Sequence, residues 1–566
     1  MANGMGSLYI GASGLQNSQN ALNTTANNLS NVETKGYVRQ QVLFEDRDYV
    51  TFDKKSPVSY QQAGLGVNIA DVVHTRNIFL DQYYRTENGR QSFYEACAET
   101  SREVETQFQE LEGEQFQTAL QEFWESFEEF SKGPDQGIYQ TLVVQKATLF
   151  LDRAQKIQDA FNSYQKNLNY KINNTIDRIN EIGNQIRDLN LQILKIESGG
   201  VETAMTMRDE RDNLLDELSG LAKVDFKERS DGTVRVKLEN VEFVDEIHVY
   251  EVKGYTDPTT GFITPYWPQL SDVERGQYTY MFDYKSGDIA AEFNTDIGEL
   301  KGLIVSRGER PADYRDITGM DRQKYEDSTG MSVVMTAQAE LDQLIHEVVT
   351  SINDIFSPLT TASFTAMDGT RYTNVKVWDE ENGCLGTDGQ KPGRELFTRR
   401  GCDRYTKVTA NDGSVYYVYN EEDLTDTAKM YTTKGIEVNE DLLHLENAIP
   451  HLKKDGEPGW AMAKALVDVW SAKKQTINPS NTDPCNFKEY YRRMIQDVGT
   501  TGSVYEGLST GLSAEVESID NSRQQVIGVS SDEELQNMIK YQNAYNAASR
   551  FINVISEMLE HIVTRL

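Results

Sequence analysis

Cysteine, proline and basic residues are all scarce in this chain of 566 residues. Its four cysteines show no CxxC spacing, so neither a zinc ribbon nor a dense disulfide framework is indicated. We expect free thiols, with a Cys384–Cys402 disulfide as the alternative. Only 12 prolines occur, which leaves room for long uninterrupted helices. The net charge of −33 argues against a nucleic-acid partner.

Long hydrophobic runs are absent as well. No segment offers about 18 consecutive apolar residues, so we expect no membrane insertion. The first 32 residues carry no charged side chain and the first basic residue is Lys35, a pattern that argues against a cleavable signal peptide. Asparagine recurs through this stretch and weakens a free-standing helix. We therefore expect the N-terminal segment to stay disordered until a partner covers it.

Both ends of the chain carry a seven-residue apolar repeat. At the C-terminus the stripe follows Ser530, which with Glu533 forms an S-x-x-E capping box. One such stripe alone indicates an amphipathic helix on its own core, but two stripes at opposite ends favour pairing with each other or with neighbouring copies. The N-terminal repeat consists of Leu8, Leu15, Leu22 and Leu29, and the C-terminal stripe of Met538, Tyr541, Tyr545, Ala548, Ile552, Ile555, Leu559, Ile562 and Leu566.

Between the ends, the hydrophobic period changes several times. Spacings of three and four predict helices over 99–130, 139–197, 207–221, 333–356 and 460–470, and again from 487 onward. A period of two around the Asp231-Gly232 turn predicts strands, which we expect to continue to about 325. Residues 359–435 are polar and β-leaning.

These patterns predict an α+β multidomain chain, with terminal α-helical coiled-coil and helical-bundle domains and inserted β-rich domains. The expected domains are a terminal coiled coil of 1–45 plus 530–566, a long-helix bundle of 46–224 plus 326–358 plus 436–529, a β-rich insertion at 225–325, and a variable outward insertion at 359–435.

Catalytic and metal-binding motifs are incomplete. His346-Glu347 begins a zincin motif, but Thr350 stands where the second histidine ligand is required. Residues 507–511 spell G-x-S-x-G without a preceding buried strand, and a flexible turn is the expected alternative. His444 and His451 have no third ligand nearby. We therefore predict no enzyme activity, no metal and no cofactor.

The terminal segments resemble one known family. Ala26 to Asn31, with Thr34, Gly36 and Tyr37, resemble the A-N-N-L-x-N-x-x-T-x-G-Y signature of bacterial flagellar axial proteins. The C-terminal run resembles the family's E-E-x-x-x-L-x-x-x-Q-x-A-Y-x-A signature through Glu533, Glu534, Gln542, Ala544, Tyr545 and Ala547, with Met538 where leucine is usual. The resemblance and the two seams together give a candidate assembly interface of Leu8, Leu15, Leu22, Asn27, Asn28, Leu29, Asn31, Gly36, Tyr37, Met538, Tyr541, Gln542, Tyr545, Ile552, Ile555 and Leu559.

Within that family, the long helical block over 99–221 is similar to hook-associated members. The resemblance implies a secreted structural subunit that self-associates in a helical tube at the hook-filament junction. The implied partners are the hook protein, hook-associated protein 3 and a type III export chaperone on the C-terminal helix. A hook or distal-rod subunit is the nearest alternative, and a scaffold carrying an adhesive or enzymatic insertion at 359–435 is another.

Overall fold

The computed structural model describes residues 2–34, 36–47, 50–51, 62–108, 116–199, 203–282, 288–445 and 447–565. The helices among them are α1 Ala2–Ser30, α2 Ile78–Phe108, α3 Phe116–Phe130, α4 Gly137–Glu197, α5 Met205–Leu221, α6 Glu299–Arg307, α7 Arg322–Glu326, α8 Val333–Phe356, α9 Glu440–His444, α10 Trp460–Ser471, α11 Phe487–Ile527 and α12 Ser531–Arg565. The predicted α+β class with long terminal helices is confirmed.

The strands form small antiparallel sheets. They are β1 Gln40–Asp46, β2 Val50–Thr51, β3 Gln62–Ala63, β4 Val67–His74, β5 Val224–Glu228, β6 Val234–Leu238, β7 Val241–Val244, β8 Lys253–Thr256, β9 Ile263–Tyr266, β10 Leu359–Thr365, β11 Arg371–Trp378, β12 Phe397–Arg399, β13 Tyr405–Thr409, β14 Val415–Tyr419 and β15 Ile436–Val438. The largest has the order β10-β11-β14-β13, and another has the order β5-β6-β7. Pairs β1-β4, β2-β3, β8-β9 and β12-β15 complete the set among the described residues.

Residues group by their contacts into two compact units. Residues 1–91, 178–251 and 510–566 form unit 1, and residues 92–177 and 252–509 form unit 2. Helices α2, α4 and α11 each contribute residues to both. These boundaries differ from those of the four expected domains, and that four-part division stays a prediction.

Unit 1 combines the chain termini with two sheets. Strands β1 and β4 pair antiparallel, with an irregularity between Leu43 and Phe44. The buried side chain of Asn190 on α4 holds β6, because its Nδ2 donates to Val234 O at 2.8 Å and its Oδ1 accepts from Val234 N at 3.1 Å. The Asp231-Gly232 hairpin is confirmed, with Gly232 at a φ of 79°.

Unit 2 is built around aromatic side chains and a buried helix. Phe123 of α3 stacks on Phe150 of α4, with ring centroids 5.2 Å apart, and meets Trp470 of α10 edge-on at 5.7 Å. Helix α8 is buried around most of its circumference, including several polar side chains. Ser332 caps it through Met335 N at 3.2 Å, and Pro358 follows its end.

Some sequence-based expectations of local structure are wrong. Strands β1 to β4 lie in segments that were assigned to helical domains and for which no strand was predicted, and α6 and most of α7 lie within the stretch expected to be β-rich. The G-x-S-x-G residues 507–511 lie inside α11, so they form neither a flexible turn nor a nucleophile elbow. The predicted helix over 99–130 is divided between α2 and α3, and Leu111 lies outside the described residues.

Candidate assembly interface

The two terminal helices lie along each other within unit 1. The approach is close because α1 presents small residues to α12. A Cβ added at Gly11 would lie 2.6 Å from Ile552 Cγ1, and one at Gly14 would lie 3.6 Å from Ala548 Cβ. Ala21 of α1 is fully buried. The predicted meeting of the terminal helices therefore occurs within one chain.

The seam residues named from the sequence are mostly half-buried in this pairing. Asn28 alone among the sixteen is buried, while Asn27 and Gln542 are exposed. The half-buried positions are Leu8, Leu15, Leu22, Leu29, Asn31, Gly36, Tyr37, Met538, Tyr541, Tyr545, Ile552, Ile555 and Leu559. Leu566 lies outside the described residues.

Asn28 is the polar centre of the interface, with 1% of its surface exposed. Its Nδ2 donates to Gln40 O at 2.9 Å and to Glu534 Oε2 at 3.2 Å. Its Oδ1 accepts from Tyr37 Oη at 2.8 Å and from Gln40 N at 3.1 Å. One amide thereby joins α1, the segment leading into β1, and α12, and all its hydrogen-bonding capacity is used.

Arg39 makes a second link between the N-terminal segment and α12. Its Nε lies 2.9 Å from Glu534 Oε1 and its Nη1 lies 2.9 Å from Glu533 Oε2, while its backbone N donates to Ile527 O. Glu534 is almost fully buried, so the guanidinium supplies the charge that offsets its desolvation. Ser530 Oγ accepts from Glu533 N at 3.5 Å, which is one of the two hydrogen bonds of the predicted capping box.

The turn between α1 and β1 packs against α5. Gly36 has a φ of 78°, and a Cβ there would overlap the side chain of Asn213. Asp209 of α5 accepts from Val38 N at 3.2 Å, and burial raises the pKa of its carboxyl to about 7. Burial lowers the pKa of the neighbouring His74 to about 4, which keeps this imidazole uncharged at neutral pH.

A buried ion network stabilises the helices behind this turn. Arg523 of α11 contacts Asp81 of α2 at 2.9 Å and Asp216 of α5 at 2.7 Å, and Arg85 contacts Asp216 at 2.6 Å. The charged run 208–212 of α5 does not form surface pairs along its own helix alone, because Arg211 is buried and donates to Gly232 O at 2.6 Å.

One face of α12 is left uncovered by α1. Its large apolar side chains are exposed, with 75% of the surface of Val563 and 59% of that of Ile539 accessible. Exposed side chains of α1 add Tyr9 and Ile10. The further exposed positions on α12 are Leu535, Phe551, Val554, Met558 and Ile562. We call these seven α12 residues the outer stripe; exposed large apolar side chains in this number are typical of an association site.

The catalytic alternatives find no support in the geometry. His346 of α8 bonds to Glu422 through Nε2 at 2.9 Å and stacks on Tyr314, so it packs in unit 2. The described residues contain no group of three acid, histidine or cysteine side chains able to hold a metal ion. All four cysteines are free thiols. Within the same described part of the chain, no helix is both long and apolar enough to cross a membrane.

Three family models match the chain. The description "Flagellar hook-associated protein FlgK helical domain" matches residues 101–358. "Flagella basal body rod protein" matches 8–37, and "Flagellar basal body rod FlgEFG protein C-terminal" matches 525–565. The latter two matches coincide with most of α1 and α12.

Relatives of similar length carry one name. Flagellar hook-associated protein 1 of Bacillus subtilis is 25% identical over 563 residues, covering 96% of this chain and 95% of that protein. Its namesake in Salmonella typhimurium is 21% identical, covering 97% and 98% respectively. A solved flagellar hook junction protein FlgK from Burkholderia pseudomallei aligns with a TM-score of 0.49 and 13% identity, over 80% of this chain and all of that one.

The paired terminal helices and the rod-type matches define an axial protein of the bacterial flagellum. The chain is similar to the flagellar hook-associated protein 1 family over almost its whole length. This is a family of structural proteins, so the prediction that the chain is not an enzyme is confirmed. The family also places it in the flagellum, in association with hook and other axial proteins.

Proposed function

We propose that this chain is the structural subunit that polymerises at the distal end of the hook and forms the hook-filament junction. The observation that carries the proposal is the terminal helix pair, in which α1 lies on α12 while the outer stripe is left uncovered. Sequence similarity supports the same role, since the relatives that match over nearly the full chain are named hook-associated protein 1. Only the short match over 13% of the chain is to a hook protein.

The outer stripe gives the polymer a driving force. Apolar area removed from water contributes about 25 cal/mol per Å², and a helical tube is built from head-to-tail contacts that do not close on a dimer axis. The sixteen seam and signature residues keep a proposed role in the same interface. Thirteen of them are half-buried, and the pairing of α1 with α12 supports a two-layer arrangement with the seam inside and the outer stripe toward neighbours.

Export and partners follow the same proposal. The subunit is exported unfolded through the type III apparatus without a cleavable signal peptide, and a chaperone holds α12 until then. An exposed apolar helix such as α12 is a surface that such a chaperone can cover. In the assembled structure, the hook protein lies on one side and hook-associated protein 3 on the other.

The test is incorporation into flagella. We expect purified chain to add to the distal ends of hooks isolated from a strain that lacks its own copy, as seen by antibody labelling. Ile539→Asp together with Met558→Asp places charges on the outer stripe without altering the seam, and we expect it to abolish incorporation with unchanged circular dichroism.

The matched control is Asn553→Asp, a charge at an exposed polar position of the same helix. It should incorporate like the wild type. Labelling along the hook or rod instead of at its tip would favour the hook or distal-rod alternative, and full incorporation of the double variant would refute the role of the outer stripe.

A further inference from the structure

Unit 2 contains a cavity of about 590 Å³ that has no part in the assembly interface. It lies between α2, the segment around α7, α8 and α11. Its rim is exposed at Gly330, Ser480 and Thr500, and its wall is buried at Phe93 and Val333. The volume falls within the range of about 300–1,000 Å³ typical of sites for small ligands.

A buried carboxyl group lines this cavity. Glu340 of α8 has no exposed surface. Its Oε1 accepts from Asn478 Nδ2 at 2.8 Å, but its Oε2 has no hydrogen-bond partner. A buried polar atom without a partner costs about 1–3 kcal/mol, so a molecule that supplies a donor there gains that energy.

A second acid and several aromatic rings complete the lining. Asp497 of α11 lines the same cavity. The pKa of Glu340 is raised to about 8, first by burial and second by the negative charge of Asp497. The rings of Tyr94 and Tyr505 lie 6.2 Å apart, and Tyr325 lines the adjoining wall. Glu326 at the rim is paired with Arg322.

The lining contains no lysine, arginine or histidine among the described residues, so its only ionisable groups are acids and tyrosines. Asp497 supplies a negative charge, a cation bound beside Glu340 favours the ionised form of that carboxyl, and the nearby tyrosine rings add the attraction of their faces. A guanidinium suits this lining better than an ammonium, because it is planar, stacks on aromatic rings, donates several N–H groups in one plane and is more weakly hydrated.

We propose that the cavity binds an alkylguanidinium cation, with Glu340 and Asp497 accepting its N–H groups and Tyr94, Tyr325 and Tyr505 enclosing it. The source is either a free guanidinium compound or an arginine side chain of a neighbouring subunit. The chemistry that the cavity recognises is the same in both cases.

The first experiment is calorimetric titration of the full-length chain with N-acetylarginine methylamide. We expect saturable binding, and binding about tenfold or more weaker for the citrulline analogue, which is nearly isosteric but uncharged. Absence of arginine binding, or equal binding of the citrulline compound, would overturn the proposal.

Variants assign the binding to the cavity. Glu340→Gln and Asp497→Asn should each weaken the arginine compound about tenfold or more. Glu347→Gln lies two turns further along α8 and outside the lining, and it should bind like the wild type. Asp497 is only half-buried, so its variant carries the test if Glu340→Gln does not fold. Wild-type affinity in a folded Asp497→Asn variant would contradict the assignment.

Hook incorporation then separates the two sources. If Asp497→Asn loses the arginine compound but incorporates normally, the ligand is a free compound. If it is stable as a monomer but incorporates poorly, the ligand is a neighbour's arginine. Both results uphold the cavity's chemistry, whereas failure of the wild type to incorporate would count against the proposed function and not against this site.

Discussion

At the scale of single residues, the asparagines of the N-terminal segment differ in what they contact. Asn28 is buried and joins three parts of unit 1 through its amide, whereas Asn20 is exposed. Sequence reasoning placed Asn28 in an interface from its resemblance to a family signature. Its hydrogen-bond partners could not be predicted from the sequence, because Gln40 and Glu534 come next to Asn28 only in the tertiary fold.

A substitution at Asn28 tests this role. Asn28→Asp removes two donors and places a carboxylate beside Glu534, so we expect unit 1 to lose about 2–3 kcal/mol of unfolding free energy. Urea unfolding of the full chain provides the measurement. Asn20→Asp introduces the same charge at an exposed position and should change the free energy by less than about 0.5 kcal/mol.

His346 shows how a motif fragment acquires a structural meaning. The pKa of His346 is raised, because its hydrogen bond to Glu422 and the charge of that carboxylate outweigh the lowering effect of burial. The pKa of Glu422 is lowered to about 2 despite burial, since His346, Tyr314 and the Tyr431 backbone N all donate to it. The pair ties α8 to the segment that follows β14.

This pair predicts a window of pH. The stabilisation from Glu422 is present above its unfolded pKa of about 4.5 and is lost as pH falls toward 2. That from His346 is present below about 6.5 and is lost as pH rises through its raised pKa. Within the window from pH 4.5 to 6.5, we expect the unfolding free energy of the wild type to exceed that of His346→Gln by about 2 kcal/mol. Outside this window the difference in unfolding free energy should be smaller. Urea unfolding across pH checks this, and a constant difference would exclude the ion pair.

At the scale of elements, helices with strong periodicity were predictable. The expected 139–197 and 333–356 agree with α4 and α8, because a stripe at spacings of three and four persists through both. Strands β1 and β4 were not predicted, although Val67 and Ile69 show the apolar alternation of a strand. Their pairing joins residues on either side of an intervening segment, which the sequence pattern does not reveal. Residues 507–511 were misjudged because glycine and serine, frequent in turns, lie in a helix of 41 residues.

The terminal pair offers a test at this scale. Leu22→Asp or Ile552→Asp places a charge in the half-buried seam, so we expect α1 to separate from α12 and incorporation to stop. Hydrogen exchange should show loss of protection in α1 and α12, while α8 in unit 2 exchanges as in the wild type. Protected terminal helices in either variant would show that the seam residues do not hold the pair.

Whether α1 becomes ordered only on assembly stays a prediction, and hydrogen exchange in the wild-type monomer tests it.

At the scale of the whole molecule, the expected outward insertion has a buried base. Arg404 contacts Asp354 at 2.6 Å and Glu395 at 3.5 Å, and Tyr431 donates to Glu395 at 2.7 Å. Arg404, Glu395 and Tyr431 are almost completely buried, whereas Asp354 is an exposed residue of α8. The composition of 359–435 predicted β structure correctly but gave no indication that part of the segment is core.

Trimming separates the two parts of the insertion. Replacing 362–375 and 408–416 by two-residue turns keeps the pairs Thr361–Lys376 and Lys407–Tyr417. We expect this variant to fold and to incorporate normally, as measured by thermal unfolding and antibody labelling. Deletion of all of 359–435 should prevent folding, because it removes the buried side chains of Phe397 and Tyr431 from the core. Loss of incorporation in the folded trimmed variant would favour a binding role for the strand ends.

The pairing of α1 with α12 joins two helices that are far apart along the chain, since Asn28 and its partner Glu534 are separated by 506 residues. A chain cut short before α12 lacks one whole side of this pairing and cannot complete it, however well its middle folds. We therefore expect such fragments to be left out of the growing structure.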